Sequence, residues 1–128
     1  MNEVKFYYCE ACGNLVILLN EGPGQLVCCG QDMILLEAGT TDAAKEKHVP
    51  EAKREGDRLI VQVGSVAHPM EEKHYITHIV AVQGDKVQIK YLKPGEEPKA
   101  EFAICAECED KIQVYEFCNL HGLWMTEV

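Results

Sequence analysis

Positive charge is scarce in this sequence. Its 128 residues carry 12 Lys and Arg against 21 Asp and Glu, a formal net charge of −9. So acidic a surface repels phosphate backbones and anionic headgroups, which argues against a protein that coats nucleic acid or a membrane. An anionic substrate would have to meet a local cationic site that works against the global field. Long apolar runs are also missing: none approaches the ~20 residues of a membrane-spanning helix. The opening Met1-Asn2-Glu3-Val4-Lys5-Phe6 has neither the basic nor the apolar stretch of a secretory signal, so the expected compartment is the cytoplasm. Helical patterning is nearly absent, with one short hint from Asp42 to Lys47. There is no internal repeat and no low-complexity segment.

Cysteine, by contrast, is abundant. Seven cysteines accompany five histidines. An odd number cannot close entirely as intramolecular disulfides, and in a reducing compartment such a set points to metal or redox chemistry. Hydrophobic residues make up 47% and charged residues 26%, the balance of a globular chain. The length suits one domain with a small appendage.

The chain divides near residue 38. Residues 1–37 hold Cys9-Glu10-Ala11-Cys12-Gly13 and Cys28-Cys29-Gly30, with a β-type run, Leu15 to Leu19, and a turn at Asn20 to Gly24 between them. Ala38 to Asp42 is a small polar linker. It opens a second domain, residues 38–128, of which residues 43–128 read as β, with strands expected at Arg58–Val63, Ile76–Val82, Lys86–Tyr91, Lys99–Ile104 and Lys111–Tyr115. Turn signals separate them at Gln83-Gly84-Asp85 and Lys93 to Pro98. Val87, Ile89 and Tyr91 alternate on one face of theirs. Short strands at this spacing predict an all-β chain ending in a β-sandwich.

A unit of 37 residues is too small to rest on a hydrophobic core; below ~40 residues a metal, disulfides or oligomerisation is usually required. Four thiolates can supply the metal site. Cys9 and Cys12 sit on one tight turn that Gly13 lets close. Cys28 and Cys29 are adjacent, and neighbouring side chains on a strand point to opposite faces. They can share one ion only if the chain bends there, which Gly30 favours. The residues alone leave open a four-sulfur iron site, a structural zinc knot and two disulfides. The pattern C-x2-C-G followed by C-C-G, with Gln31-Asp32-Met33 and Leu35-Leu36, resembles desulforedoxin. That resemblance implies a rubredoxin-like iron bound by Cys9, Cys12, Cys28 and Cys29, and a homodimer.

The second part of the chain carries Glu46-Lys47-His48-Val49-Pro50, then Ala67-His68-Pro69-Met70-Glu71-Glu72-Lys73-His74, and then Cys118-Asn119-Leu120-His121-Gly122. These histidines fall at strand ends or turns, where ligands converge on an ion. Four imidazoles and one thiolate leave a sixth position open on an octahedral metal. Such ligation suits iron better than structural zinc, which closes at four ligands. The three motifs resemble those of superoxide reductases. With the desulforedoxin-like start, the whole chain resembles the two-iron desulfoferrodoxins.

The resemblance implies a ferrous centre with equatorial His48, His68, His74 and His121 and axial Cys118, in an immunoglobulin-like β-sandwich. It matches the family's Glu-Lys pair to Glu46 and Lys47, as a ligand or gate for oxidised iron and as a local cation. It implies one-electron reduction of superoxide to hydrogen peroxide as a defence against oxygen stress, with an electron donor such as rubredoxin. Two other classes remain, a non-catalytic iron electron-transfer protein and a zinc-stabilised binding module. His78 and Cys105-Ala106-Glu107-Cys108 exceed the family pattern. A zinc site from His74, His78, Cys105 and Cys108 conflicts with a strand at 75–82, which would separate the two histidines by ~13 Å. The cysteine pair is then spare, open to idle thiols, a reversible disulfide or a further metal site. Glu107, Glu109 and Asp110 around it disfavour a reactive thiolate.

Overall fold

The computed structural model describes residues 4–40, 48–64 and 68–128. Every regular element among them is a β-strand, so no helix among the described residues is long and apolar enough to cross a membrane. The helical hint at Asp42–Lys47 lies outside the described residues, as therefore do Glu46 and Lys47. The chain forms two compact units, Met1–Glu37 and Ala38–Val128.

In the first unit, β1 (Lys5–Tyr8) lies between β2 (Leu15–Leu18) and β5 (Ile34–Leu35) in a three-stranded antiparallel sheet. A two-stranded hairpin joins β3 (Val27–Cys28) to β4 (Gln31–Asp32). Among its described hydrophobic residues only Val4, Phe6 and Cys9 are buried, while Leu19, Val27, Ile34 and Leu35 are exposed. So small a core cannot offset the conformational entropy of ordering the unit.

The second unit packs two antiparallel sheets face to face. One has the order β10 (Lys99–Ala103), β7 (Arg58–Val63), β6 (Pro50–Glu55). The other has the order β12 (Gly122–Glu127), β11 (Ile112–Cys118), β8 (Ile76–Gln83), β9 (Lys86–Tyr91). Alternate residues of the central strands point inward. Leu59, Val61 and Val63 of β7 meet Ile79 and Ala81 of β8 and Ile112 and Val114 of β11, joined by Ala100 and Phe102 of β10. This core makes the sandwich self-sufficient.

Two strands of this unit are absent from the sequence reading. β6 reads Pro-Glu-Ala-Lys-Arg-Glu, and β-propensity gives no sign of it. It forms because it is an edge strand, where Pro and charges are tolerated and blunt pairing with other chains. β12 opens on a glycine and follows a turn too short to announce a new strand. β9 behaves unlike an ordinary amphipathic strand. Its apolar set, Val87, Ile89 and Tyr91, faces outward and is at least one-third exposed. Its polar set closes the seam between the sheets instead: the Lys86 Nζ and the Gln88 Nε2 both donate to the Ala103 carbonyl, at 3.2 and 2.7 Å.

Candidate metal centres

The first candidate centre is built on two turns. Between β1 and β2 the amide of Gly13 donates to the Cys9 carbonyl at 2.8 Å and the amide of Cys9 to the Asn14 carbonyl at 2.9 Å. Gly13 takes a φ of 84°, which lets the loop fold back so that Cys9 and Cys12 share a side. The other pair sits at the β3–β4 turn. Cys28 is the last strand residue and pairs with Gln31, leaving Cys29-Gly30 as a two-residue hairpin loop. Both loop residues have positive φ, 53° and 73°, as a type I′ turn requires. This is the bend that lets adjacent cysteines aim at one point. For a side chain larger than glycine the left-handed conformation costs about 1–2 kcal/mol, and Cys29 is the one non-glycine among the described residues to hold it.

The four sulfurs lie within 4.8 Å of one another. Cys12 and Cys28 Sγ are 3.6 Å apart, Cys28 and Cys29 Sγ 3.9 Å, and the Asn14 Nδ2 donates to the Cys28 Sγ at 3.5 Å. Such crowding splits the thiols. A backbone amide bond at Cys12 brings Cys9 down to about 7. Its sulfur neighbours, Cys12 first, push Cys29 up to about 12, and Cys9 raises Cys28. Four thiolates cannot coexist here without a cation among them, which is the donor chemistry of a sulfur-ligated metal. We predict that metal uptake at pH 7 releases at least two protons, those of Cys28 and Cys29, since their sulfur neighbours push both thiols above the ordinary thiol range without metal. Affinity should therefore rise with pH. A pH-indicator titration that detects no proton release on metal binding would contradict this.

The second candidate centre gathers His48, His68, His74, Cys118 and His121, whose ligand atoms lie within 4.8 Å of one another. The imidazoles form a closed ring. Centroids are 4.7 Å apart for His48–His68, 4.9 Å for His68–His74, 5.1 Å for His74–His121 and 4.7 Å for His121–His48. Each ring is turned 63–85° from its neighbours. The His48 Nε2 and the His121 Nδ1 approach to 3.0 Å. The Cys118 Sγ is 3.7 Å from that same His121 Nδ1 and is fully buried, whereas His121 is exposed. The site thus has a buried sulfur and a ring of nitrogens with a solvent side.

Local folding explains each position. A β-bulge skips Thr77, so Phe117 pairs with His78 but Cys118 with Ile76. The shift re-aims Cys118 at the end of its strand. The loop Asn119-Leu120-His121 then closes on Gly122, whose φ of 83° suits glycine. His74 sits on a tight turn in which the amides of Glu71 and His74 donate to each other's carbonyls at 2.9 and 3.0 Å. The His68 Nδ1 lies 2.8 Å from the Pro69 carbonyl. A carbonyl only accepts, so the hydrogen is on Nδ1 and the lone pair on Nε2, the arrangement that orients a metal-binding imidazole.

Sequence reasoning missed two supports. Asn119 ties the segment bearing His74 to the turn bearing Cys118 and His121. Its Oδ1 accepts from the Tyr75 amide at 2.9 Å and its Nδ2 donates to the Lys73 carbonyl at 3.1 Å. Trp124 stacks on His48 at 4.9 Å and 18°, and its Nε1 donates to the His121 carbonyl at 3.1 Å. A Cβ on Gly39 would stand 2.5 Å from that indole, so glycine there keeps the stack in place. An asparagine beside a cysteine was the available signal for the first; nothing local signals the second. We predict that Asn119→Leu weakens metal binding at this centre by roughly 10–100-fold, the usual cost of losing an outer support. A chelator-competition titration with unchanged affinity would sink that assignment.

His78 stands apart from the ring. It packs edge-on against Tyr91 at 4.7 Å, its Nδ1 is 2.7 Å from the Thr77 Oγ1, and burial lowers its pKa. Cys105 and Cys108 are joined to each other as a disulfide, so the zinc site drawn from His74, His78 and this pair is not formed.

The N-terminal domain model of the desulfoferrodoxins matches residues 1–36 and their main-domain model residues 40–127. A desulfoferrodoxin homologue of Archaeoglobus fulgidus is 53% identical over 127 residues, covering 98% of this chain and 99% of its own. Desulfoferrodoxin of Nitratidesulfovibrio vulgaris is 51% identical over 126 residues, covering 98% of each. Among solved structures, the superoxide reductase of Treponema pallidum superposes with a TM-score of 0.80 at 30% identity, over 97% of this chain and 98% of its own. With models matched in both units and relatives aligned end to end, this chain belongs to the desulfoferrodoxin family.

Proposed function

We propose that this protein is a superoxide reductase, converting superoxide, one electron and two protons into hydrogen peroxide without releasing dioxygen. The observation that carries the reading is the ring of four imidazoles with a buried cysteine sulfur beside it, in a chain of this family. Its cofactors are two irons. His48, His68, His74, His121 and Cys118 would hold one, and Cys9, Cys12, Cys28 and Cys29 the other. When bound, the ferrous ion at the histidine centre supplies the electron, and thiolate ligation favours its outward transfer.

The side chains do the rest. With neutral imidazoles and a single thiolate around it, a ferrous ion there would keep a net positive charge and would attract a small anion locally despite a chain charge of −9. Burial of Cys118 shields the sulfur from oxidants, while the exposed His121 marks the side open to substrate and water. Water on that side supplies the protons that release peroxide intact. Lys47, one residue before His48, is assigned the steering cation, and Glu46 the carboxylate that binds or gates the oxidised centre. The four-sulfur centre is assigned a one-electron store, the donor a rubredoxin-type protein, the assembly a homodimer and the setting cytoplasmic detoxification.

Metal analysis with an absorption spectrum tests the reading. It requires two irons per chain and sulfur-to-iron charge-transfer bands in the visible; a colourless zinc protein contradicts it. Lys47→Ala should keep both irons, slow the encounter with superoxide and flatten its dependence on ionic strength, because long-range steering is what salt screens. An unchanged second-order rate at low salt would assign the steering to the iron alone.

A further inference from the structure

The bridged pair Cys105–Cys108 lies outside both candidate centres. It occupies the exposed loop between β10 and β11, with both cysteines, Ala106 and Glu107 open to solvent. Gln83 grips the start of the loop: its Oε1 accepts from the Cys105 amide at 2.9 Å and its Nε2 donates to the Cys105 carbonyl at 3.4 Å. Gln83 ends β8, whereas Ile76 at the other end pairs with Cys118. At ~3.3 Å per residue, the bridge is about 20 Å along the sheet from the histidine centre. It cannot share that metal's ligands.

As a structural staple the bridge is poorly placed. It closes a ring of only four residues, with a Cα–Cα distance of 5.4 Å, and short rings constrain the unfolded chain least. The loop is also fixed without it. Ile104 donates to the Asp57 carbonyl at 2.9 Å, Gln83 holds Cys105, Arg54 donates to the Asp110 carbonyl, and Ile112 exchanges amide bonds with Val128 at 2.8 and 2.9 Å. Opening the bridge would leave the two sulfurs side by side on a pinned loop, poised to close again. Exposure makes them accessible to an oxidant and to a thiol reductant.

We propose that Cys105 and Cys108 are a reversible dithiol–disulfide site that consumes hydrogen peroxide, a role that rests on peroxide being the product of the histidine centre. One sulfur attacks a peroxide oxygen and breaks the O–O bond, giving a sulfenic acid and hydroxide, which takes up the thiol proton as water. The other thiol displaces the sulfenic oxygen as a second water and forms the S–S bond. Two thiols lose two electrons and two protons, and one peroxide becomes two waters. A small dithiol reductant reopens the bridge by exchange and leaves as its own disulfide. Glu107, Glu109 and Asp110 disfavour the thiolate, so closure follows peroxide accumulation and not each turnover.

The test uses the full iron-loaded chain, alkylation of open thiols and peptide mass spectrometry of residues 105 and 108. Dithiothreitol on the folded protein should expose two alkylatable thiols, and added hydrogen peroxide should reduce that number to none. Superoxide turnover should do the same. Cys105→Ser/Cys108→Ser should keep both irons and the superoxide rate. A bridge that opens only on unfolding, an opened pair that peroxide does not close, or a double variant that loses iron would each overturn the site. Closure by added peroxide without closure after turnover of an equal dose of superoxide would uphold the site and count against peroxide as the product.

Discussion

Cys118→Ser should abolish superoxide reduction, lowering the rate by more than the ~10–100-fold that loss of an outer support costs. Cys118 is the one sulfur at the histidine centre, fully buried and 3.7 Å from the His121 Nδ1. A hydroxyl in its place is a harder donor that does not ionise near neutral pH. It neither softens the site toward iron nor pushes electron density outward. The fold should survive, because serine is near cysteine in size and the core around Leu59, Ile79 and Val114 is untouched. Iron content, the visible spectrum and the superoxide rate, measured together, check the claim. A serine variant with full iron and an ordinary rate would remove the thiolate from the mechanism.

Cys9→Ser should have the opposite pattern. It should empty the four-sulfur centre and unfold residues 1–37, while the histidine iron and superoxide reduction with an artificial donor remain largely intact. Among its described hydrophobic residues the first unit buries only Val4, Phe6 and Cys9. Its order therefore rests on the metal, whose binding in comparable small sites contributes about 10–16 kcal/mol near neutral pH. The second unit has its own core and shares no ligand with the first. Limited proteolysis should cut the variant within the first 37 residues and spare the rest. Loss of both irons would refute the modular account.

How much the sequence reveals depends on whether the chemistry is local. The ligand motifs are legible because a metal needs several donors on short turns, and Cys-x2-Cys, Cys-Cys-Gly and His-Pro announce such turns. The core strands are legible because Leu59, Val61 and Val63, or Ile112 and Val114, carry the β period. β6 is not, since an edge strand needs no apolar alternation. β9 misleads because its apolar face points outward and Lys86 and Gln88 seal the sandwich instead. Trp124 and Gly39 act through partners distant in sequence, which no local pattern records, and Asn119 is signalled only by its place beside a cysteine. The left-handed Cys29 falls between: Gly30 signals a bend, but only the hairpin register shows that the cysteine takes part in it.

The central claim is that the ring of His48, His68, His74 and His121 over Cys118 reduces superoxide and does not dismutate it. Its most direct test is the stoichiometry of the reduced, iron-loaded protein mixed anaerobically with superoxide, with peroxide and dioxygen measured in the same sample. The account predicts one peroxide formed for each superoxide consumed and no dioxygen from the reaction. One dioxygen released for every two superoxides consumed would identify a dismutase and contradict it.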